Sequence, residues 1–382
     1  MSKYSVQQIF NYSFEDYAAT YPVSEIQWKV AKDIMACKTG KLGANLSICP
    51  ECDYQKVHNN SCRNRNCPCC QAVQKERWVD ARKAEVISTP YFHVVFTLPA
   101  ELRSLIFANQ KLLYSLLHEC AAKTLLELSS NKKYLGATPG IIQVEHTWGQ
   151  QLQYHPHVHC IISGGGLTKD EKLLTSREKF FIPVKVLGSK FRGKFLALLE
   201  KLYQANKIIF TDSCKALQNT YDWKKFTFSL REKDWIPYIK ETFNGFGNAI
   251  EYLGRYTHRI AISNARILSV TETETTFKFF NNHTKQMETT TLSNVAFIRR
   301  FLQHVLPRRF QKIRYYGFLN NRSKRKNLKI LFKLMGKQKF RSRYTNMKME
   351  EFLLKAWNIN IRLCPNCGCQ GIQIGRMRPQ LN

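Results

Sequence analysis

His155-Pro156-His157-Val158-His159 sets three imidazoles two residues apart. Upstream, Ile141-Ile142-Gln143-Val144 reads as a strand, and downstream Cys160-Ile161-Ile162 carries the apolar run into Ser163-Gly164-Gly165-Gly166. A strand sends residues i and i+2 to one face. His157 and His159 therefore project side by side while Val158 turns into the core. Two neutral imidazoles at that spacing can hold one divalent metal and leave coordination positions open for a substrate oxygen. A hydrogen-bonded cluster of surface histidines would have the same spacing and no chemistry.

Tyr252-Leu253-Gly254-Arg255-Tyr256 follows Phe246-Gly247-Asn248-Ala249-Ile250-Glu251, a stretch that looks helical. Positions i and i+4 of a helix share a face about 6 Å apart along the axis, so two phenol oxygens could address one site. A phenol gives up its proton only near pH ~10 and is a poor nucleophile at neutrality. A nearby metal that neutralises and orients a phosphate makes its attack feasible. Tyrosines at this spacing also pack cores, and the histidines in the same chain are what favour chemistry.

The chain has thirteen cysteines and no apolar leader after Met1-Ser2-Lys3-Tyr4. Metal ligation rather than disulfide bonding, in a reducing cytoplasmic and nucleoid-associated setting, is the expectation. Cys49-Pro50-Glu51-Cys52 and Cys67-Pro68-Cys69-Cys70 are C-x-x-C knuckles with fourteen residues between Cys52 and Cys67. That spacing suits one structural Zn2+ held by Cys49, Cys52, Cys67 and Cys70. Cys37, Cys62, Cys69 and His58 are spare ligands. Cys364-Pro365-Asn366-Cys367-Gly368-Cys369 is half a site, completed by two further thiols such as Cys37 and Cys62 or left as a reduced pair.

With 59 Lys+Arg against 28 Asp+Glu, the formal net charge is +31. A charge of this size calls for a polyanionic partner, nucleic acid first. Arg308 to Arg343 holds fourteen Lys/Arg and no acid, interleaved with Phe310, Tyr315, Tyr316, Phe318, Phe332 and Phe340. Cations tracking phosphates and rings stacking bases would suit single-stranded or distorted DNA. The basic residues expected at nucleic acid are Arg63 and Arg65 beside the knuckles, Arg255 and Arg259 beside the tyrosines, Arg299 and Arg300, and Arg308, Arg309, Lys312 and Arg314. A solvated basic face is the bland alternative. No run of about 18 apolar residues exists, so no membrane span is expected.

These groups need elements to hold them. Residues 1–86 read as a cysteine-rich zinc-binding, DNA-contacting module with a helix over Ile26 to Cys37. Residues 87–292 begin with a strand, Phe92 to Leu98, and a long helix, Ala100 to Leu128. Strands over 140–148 and 154–163 form a hairpin, with another at Trp235 to Lys240. Strands are also expected at Arg259 to Ser263, Arg266 to Thr271 and Thr276 to Phe280. Residues 293–382 read as a basic helical DNA-binding region ending in the last knuckle. Hairpin strands mixed with helices make an α+β chain with a central antiparallel sheet flanked by helices.

With these motifs in place, the chain resembles the two-tyrosine HUH transposases of rolling-circle insertion sequences, of the insertion sequence ninety-one type. The likeness covers nearly the whole chain. It runs through Asn60 to Pro68, Phe96-Thr97-Leu98-Pro99, His146-Thr147-Trp148-Gly149-Gln150, His155 to His159, Gly164-Gly165-Gly166, Phe191-Arg192-Gly193-Lys194-Phe195, Tyr252 to Arg259 and Phe297 to Phe301. Asn66, where a histidine is expected before Cys67, and the extra thiol of Cys69 depart from it. The resemblance implies an HUH endonuclease domain in which His157 and His159 bind Mg2+ or Mn2+. His146 or His155 would supply a third ligand, Glu145 standing where an apolar residue is expected. It makes Tyr252 and Tyr256 the nucleophiles of a strand transferase working through a 5′-phosphotyrosine. Its partners would be single-stranded or hairpin DNA at element ends, target DNA and a host helicase. The rivals are a rolling-circle replication initiator or relaxase of the same chemistry, and a non-catalytic zinc-ribbon DNA-binding protein.

Overall fold

The computed structural model describes residues 3–176, 180, 182–241, 250, 251, 254, 257, 260–336 and 342–379. The chain is α+β, built on antiparallel sheets. No helix among the described residues is long and apolar enough to cross a membrane.

Two helices open the chain, α1 (Val6–Thr20) and α2 (Glu25–Ala36). Ser5 caps α1 by accepting from Gln8 N, and Gln27 Oε1 accepts from Ser24 N at the start of α2, satisfying donors that a helix start leaves unpaired. A hairpin, β1 (Ala44–Ile48) and β2 (Gln55–Asn59), precedes α3 (Ala72–Lys83). The central sheet then begins with β3 (Tyr91–Thr97). Next come α4 (Arg103–Ala108) and α5 (Gln110–Ser130), where one helix over 100–128 was expected. Asn109 divides them at φ −125°, ψ 37°. Its side chain donates to Leu105 O and Ile209 O and accepts from Ile209 N, bonds that compete with helix continuation.

The hairpin of β4 (Thr138–Trp148) and β5 (Tyr154–Leu167) carries the short β6 (Leu173–Thr175) at its edge. Helices α6 (Val184–Gln204) and α7 (Thr220–Glu232) lead to β7 (Tyr238–Glu241), which pairs with β3. A second sheet is the meander β8 (Ile267–Val270), β9 (Glu274–Asn281) and β10 (Gln286–Ser293), followed by α8 (Asn294–Leu302). The described part of the strand expected at Arg259 to Ser263, residues 260–263, is irregular. The chain closes with β11 (Ile313–Gly317), α9 (Lys324–Leu334), α10 (Met349–Trp357) and β12 (Gln373–Met377).

The main sheet runs β11-β4-β5-β3-β7. One face, with Phe92, Val94, Phe96, Val158, Cys160 and Ile162, is buried with Leu117, Leu125, Phe191 and Phe195 of α5 and α6. On the other face, Ile142, Val144 and Ile161 meet Val79 of α3, Ile250, and Leu328 and Leu331 of α9 at one end. Both central strands are therefore buried on both faces there and read as continuous apolar runs. The histidines lie toward the opposite end of that face.

The segment beyond residue 293 was expected to be basic and helical. It also contributes β11, paired with β4 from Ile313↔Val144 to Gly317↔Gly140. This pairing overturns the base-stacking role for part of its aromatic series. Phe310 and Phe318 are buried, and Tyr315 Oη accepts from Trp78 Nε1 (3.0 Å) and Arg82 Nη1 (2.7 Å). Likewise β12 pairs with β1, and α1 packs with Phe297 and Phe301 of α8. Chain from both sides of residues 86 and 292 is thus interleaved.

Candidate functional site

His157 and His159 project from one face of β5, and the neighbouring strand places His146 directly opposite His157. One ring nitrogen from each of His146, His157 and His159 lies within 4.8 Å of the others. His157 Nε2 and His159 Nε2 are 3.1 Å apart. The outer nitrogens have partners: His157 Nδ1 is 2.6 Å from His155 O, and His159 Nδ1 is 2.8 Å from His93 Nε2. With Nδ1–H of His157 donating to that carbonyl, its Nε2 carries a lone pair facing His159. Two nitrogen lone pairs at this distance repel unless a proton or cation sits between them. Nitrogens bound about 2.1 Å from one metal stand about 3.0–3.4 Å apart, which the pair matches. The donor set therefore fits a metal.

His155 has the parity of His157 but stays out of the cluster. Between His146↔His157 and Trp148↔Tyr154, β5 runs one residue longer than β4, a bulge over His155-Pro156 that breaks the pairing register there. His155 Nδ1 instead lies 3.4 Å from Arg103 Nη2. Glu145, chemically attractive as a ligand, points through the sheet to the buried face, where its Oε2 is 3.2 Å from His118 Nε2. Burial pushes its carboxyl well above the ordinary range and lowers His118 to about 3.

His93 is the functional neighbour that the sequence reading missed. It shares the parity of Val95 and Thr97 on β3, whose partners are His159 and His157, so the alternation could have found it. Burial, with the charge of Lys240, lowers its pKa to about 4, and it stays neutral behind His159 at pH 7. Supporting a ligating imidazole from its far nitrogen fixes the ring and its tautomer. Trp148 stacks on His146 with ring centroids 4.4 Å apart. The histidines open into a cleft of about 580 Å3 that Arg103, Tyr238, Arg266 and the β9–β10 turn also line.

Tyr252, Tyr256, Arg255 and Arg259 lie outside the described residues. Their described neighbours Ile250, Glu251, Gly254 and Thr257 are helical. Ile250 is buried beside Val79 in the same apolar cluster, and Glu251 pairs with Lys83 of α3 at 2.6 Å. Thr257 lines a cavity of about 250 Å3 together with Arg63, Arg65, Lys312 and Trp148. Trp148 thus belongs to both this cavity and the histidine cleft.

The thiols group differently from the single site expected of the two amino-terminal knuckles. Cys37, Cys62, Cys67 and Cys70 converge within 4.8 Å, and Cys49 and Cys52 gather instead with Cys364 and Cys367. The hairpin β1–β2 carries Cys49 and Cys52 at its turn, whereas Cys67 and Cys70 precede α3 and meet Cys37 at the end of α2. Linear spacing does not encode that separation. Burial pushes the Cys37 thiol up, and four convergent sulfurs are the donor set of a structural zinc site. Cys69 is exposed and His58 lies on the exposed strand β2.

Several basic residues expected at nucleic acid are engaged within the protein. Arg65 donates to the backbone carbonyls of Phe310 (2.9 Å), Leu306 (3.2 Å) and Pro307 (3.2 Å). It thereby braces the cysteine module against the sheet. Arg300 donates to Gln151 O, Arg299 lies over the ring of Tyr21, and Arg314 donates to Ser115 Oγ. Lys312 lies over the ring of Trp148, and burial with the charge of Arg65 lowers its pKa to about 7. Arg63, Arg308 and Arg309 are exposed, as are Arg65 and Arg299 despite those contacts.

Residues 140–327 match a family described as "Putative transposase", and residues 9–98 match a "Transposase zinc-binding domain". The chain is 36% identical over 376 residues to "Putative transposase y4qJ" of Sinorhizobium fredii (strain NBRC 101917 / NGR234), covering 95% of this chain and 92% of that protein. It is 29% identical over 305 residues to "Transposase for insertion sequence element IS801" of Pseudomonas savastanoi pv. phaseolicola, covering 78% and 71%. No solved structure matches. The chain belongs to the IS91-type family of insertion-sequence transposases.

Proposed function

We propose that this transposase cuts and rejoins single-stranded DNA at the ends of its element through a tyrosyl-phosphate bond. The observation that carries the reading is the convergence of His146, His157 and His159 at one open cleft. A divalent ion held there, Mg2+ or Mn2+, would neutralise and orient the scissile phosphate. His93 and the His155 carbonyl hold the rings so that their inner nitrogens face one point.

Tyr252 or Tyr256 attacks phosphorus in line as the bond to the 3′-oxygen breaks. The phenol's proton is lost, the leaving 3′-oxygen takes up a proton, and the 5′-phosphate remains on the tyrosine. The new phosphodiester conserves the energy of the broken one, so the 3′-OH of a target strand can reverse the step. Two tyrosines allow two strands to be held at once. Thr257, next in sequence to Tyr256, lines the cavity that shares Trp148 with the cleft, which supports an approach of that segment to the histidines. Exposed Arg63, Arg308 and Arg309 would meet DNA phosphates.

The test uses the full-length protein, a single-stranded oligonucleotide carrying an element end, and Mn2+ or Mg2+. A covalent protein–DNA adduct should resist denaturation and vanish in the Tyr252→Phe/Tyr256→Phe double variant. Adduct persisting in that variant would end the tyrosine assignment.

A further inference from the structure

The chain's last knuckle lies outside both family matches, which end at residues 98 and 327. We propose that Cys49, Cys52, Cys364 and Cys367 form a second tetrahedral zinc site, separate from that of Cys37, Cys62, Cys67 and Cys70, which clasps the carboxyl-terminal segment onto the amino-terminal hairpin. Cys52 and Cys364 are 312 positions apart in the chain, yet their sulfurs are 3.6 Å apart. Cys49 and Cys367 are also 3.6 Å apart, and all four sulfurs lie within 4.8 Å of one another. Thiolates about 2.3 Å from one zinc have edges near 3.8 Å, whereas a disulfide needs about 2.05 Å. The spacing is that of a shared metal.

Both knuckles have the same local form. Each reads Cys-Pro-x-Cys, and each turns on the residue that follows: Asp53 at φ +54° and Gly368 at φ +76°. Cys49 N donates to Tyr54 O across the first, and Gly368 N to Cys364 O across the second. The first knuckle occupies the β1–β2 turn, and the second leads through Ile372 into β12. Strand β12 pairs antiparallel with β1 along its length, from Ala44↔Met377 to Ile48↔Gln373. The product is a three-stranded ribbon with a knuckle from each end of the chain.

The energetics call for a metal. The buried core of this ribbon consists of Cys49, Cys364 and Ile372, with Cys52, Tyr54 and Cys369 packed against it. Every residue of β2 and of β12 is exposed. So small an apolar core cannot offset the entropy of ordering the ribbon, and units of this kind rely on a staple. Zinc binding to four thiolates supplies one, because its binding energy is folding energy. Cys369, 3.6 Å from Cys49 but accepting from Gly371 N, stands beside the site.

The test reads metal content and thiol protection in the full-length protein, so it does not depend on activity. Wild type should hold two zinc ions per chain by elemental analysis. The Cys52→Ser/Cys364→Ser variant should hold one and keep Cys37, Cys62, Cys67 and Cys70 protected from alkylation. In native wild type, mass spectrometry after brief N-ethylmaleimide treatment should show Cys49, Cys52, Cys364 and Cys367 labelled at least tenfold more slowly than exposed Cys69. A wild-type content of one ion, two ions retained by the variant, or labelling as fast as Cys69 would each overturn the site. The wild-type labelling needs no folded variant.

Discussion

Replacing Gly254 with alanine puts a methyl group where there is no room. A Cβ at this helical position would lie 2.4 Å from Val79 Cγ2 on α3, where ordinary contact begins at 3.4 Å. The two elements must separate by about 1 Å, or Val79 must leave its rotamer. Overpacking of this kind costs about 1–3 kcal/mol, and the better helix propensity of alanine returns about 1 kcal/mol. Global stability should therefore fall by no more than about 2 kcal/mol, a few degrees in Tm. Catalysis should suffer more. Gly254 lies between Tyr252 and Tyr256 in sequence, and a displacement of about 1 Å at a reacting group can lower a rate on the order of 100-fold. The assay is the initial rate of adduct formation on single-stranded DNA, with thermal unfolding measured in parallel. Val79→Ala removes the obstructing methyl, so the Gly254→Ala/Val79→Ala pair should recover at least about tenfold over Gly254→Ala. A Gly254→Ala protein with raised Tm and the wild-type rate would refute the reasoning. So would a defect that Val79→Ala does not relieve.

His155→Ala should stay within about threefold of wild type in Mn2+-supported nicking. His146→Ala, His157→Ala and His159→Ala should each lose about 100-fold or more, and His93→Ala about 10–100-fold in Mn2+ affinity, all read from nicking rates across a Mn2+ titration. Glu145→Gln should stabilise the protein increasingly as pH rises. Burial raises the folded pKa of Glu145 above its ordinary 4.5, so above that pH the unfolded carboxyl ionises while the folded one keeps its proton. Wild type then loses up to about 1.4 kcal/mol per pH unit relative to the variant, and urea unfolding at pH 5 and pH 7 should show the gap widening; a constant gap would contradict a buried neutral acid. Arg308→Ala/Arg309→Ala should weaken single-strand binding and reduce the magnitude of its salt slope by about 1.4. Arg65→Ala should chiefly lower Tm, because its guanidinium holds three backbone carbonyls.

Much of the fold was legible wherever local pattern and tertiary environment agree. Strand alternation put His157 and His159 on one face with Val158 in the core, and the structure has Val158 fully buried. The hairpin of β4 and β5 followed from two apolar runs and a polar turn. Asn109 broke the expected helix because its amide bonds to a distant segment, Ile209, which no helical period reveals. Strand β11 was hidden in a basic stretch, since Lys312 and Arg314 suggested solvent and DNA while Ile313 and Tyr315 were joining a sheet.

Residue type and spacing alone supplied the imidazole pair, the tyrosine pair, the knuckles, the charge and the α+β class, because side-chain chemistry and the strand and helix periods are local properties. Only the tertiary structure decided that His146 rather than His155 completes the histidine cluster, since a bulge in β5 sets that choice. It alone sorted the thiols into two groups, because strand pairing brings Cys52 beside Cys364 across 312 positions. It also tied Arg65 to three backbone carbonyls. Which groups meet depends on how distant segments bury and pair their backbones, and spacing along the chain carries no record of that.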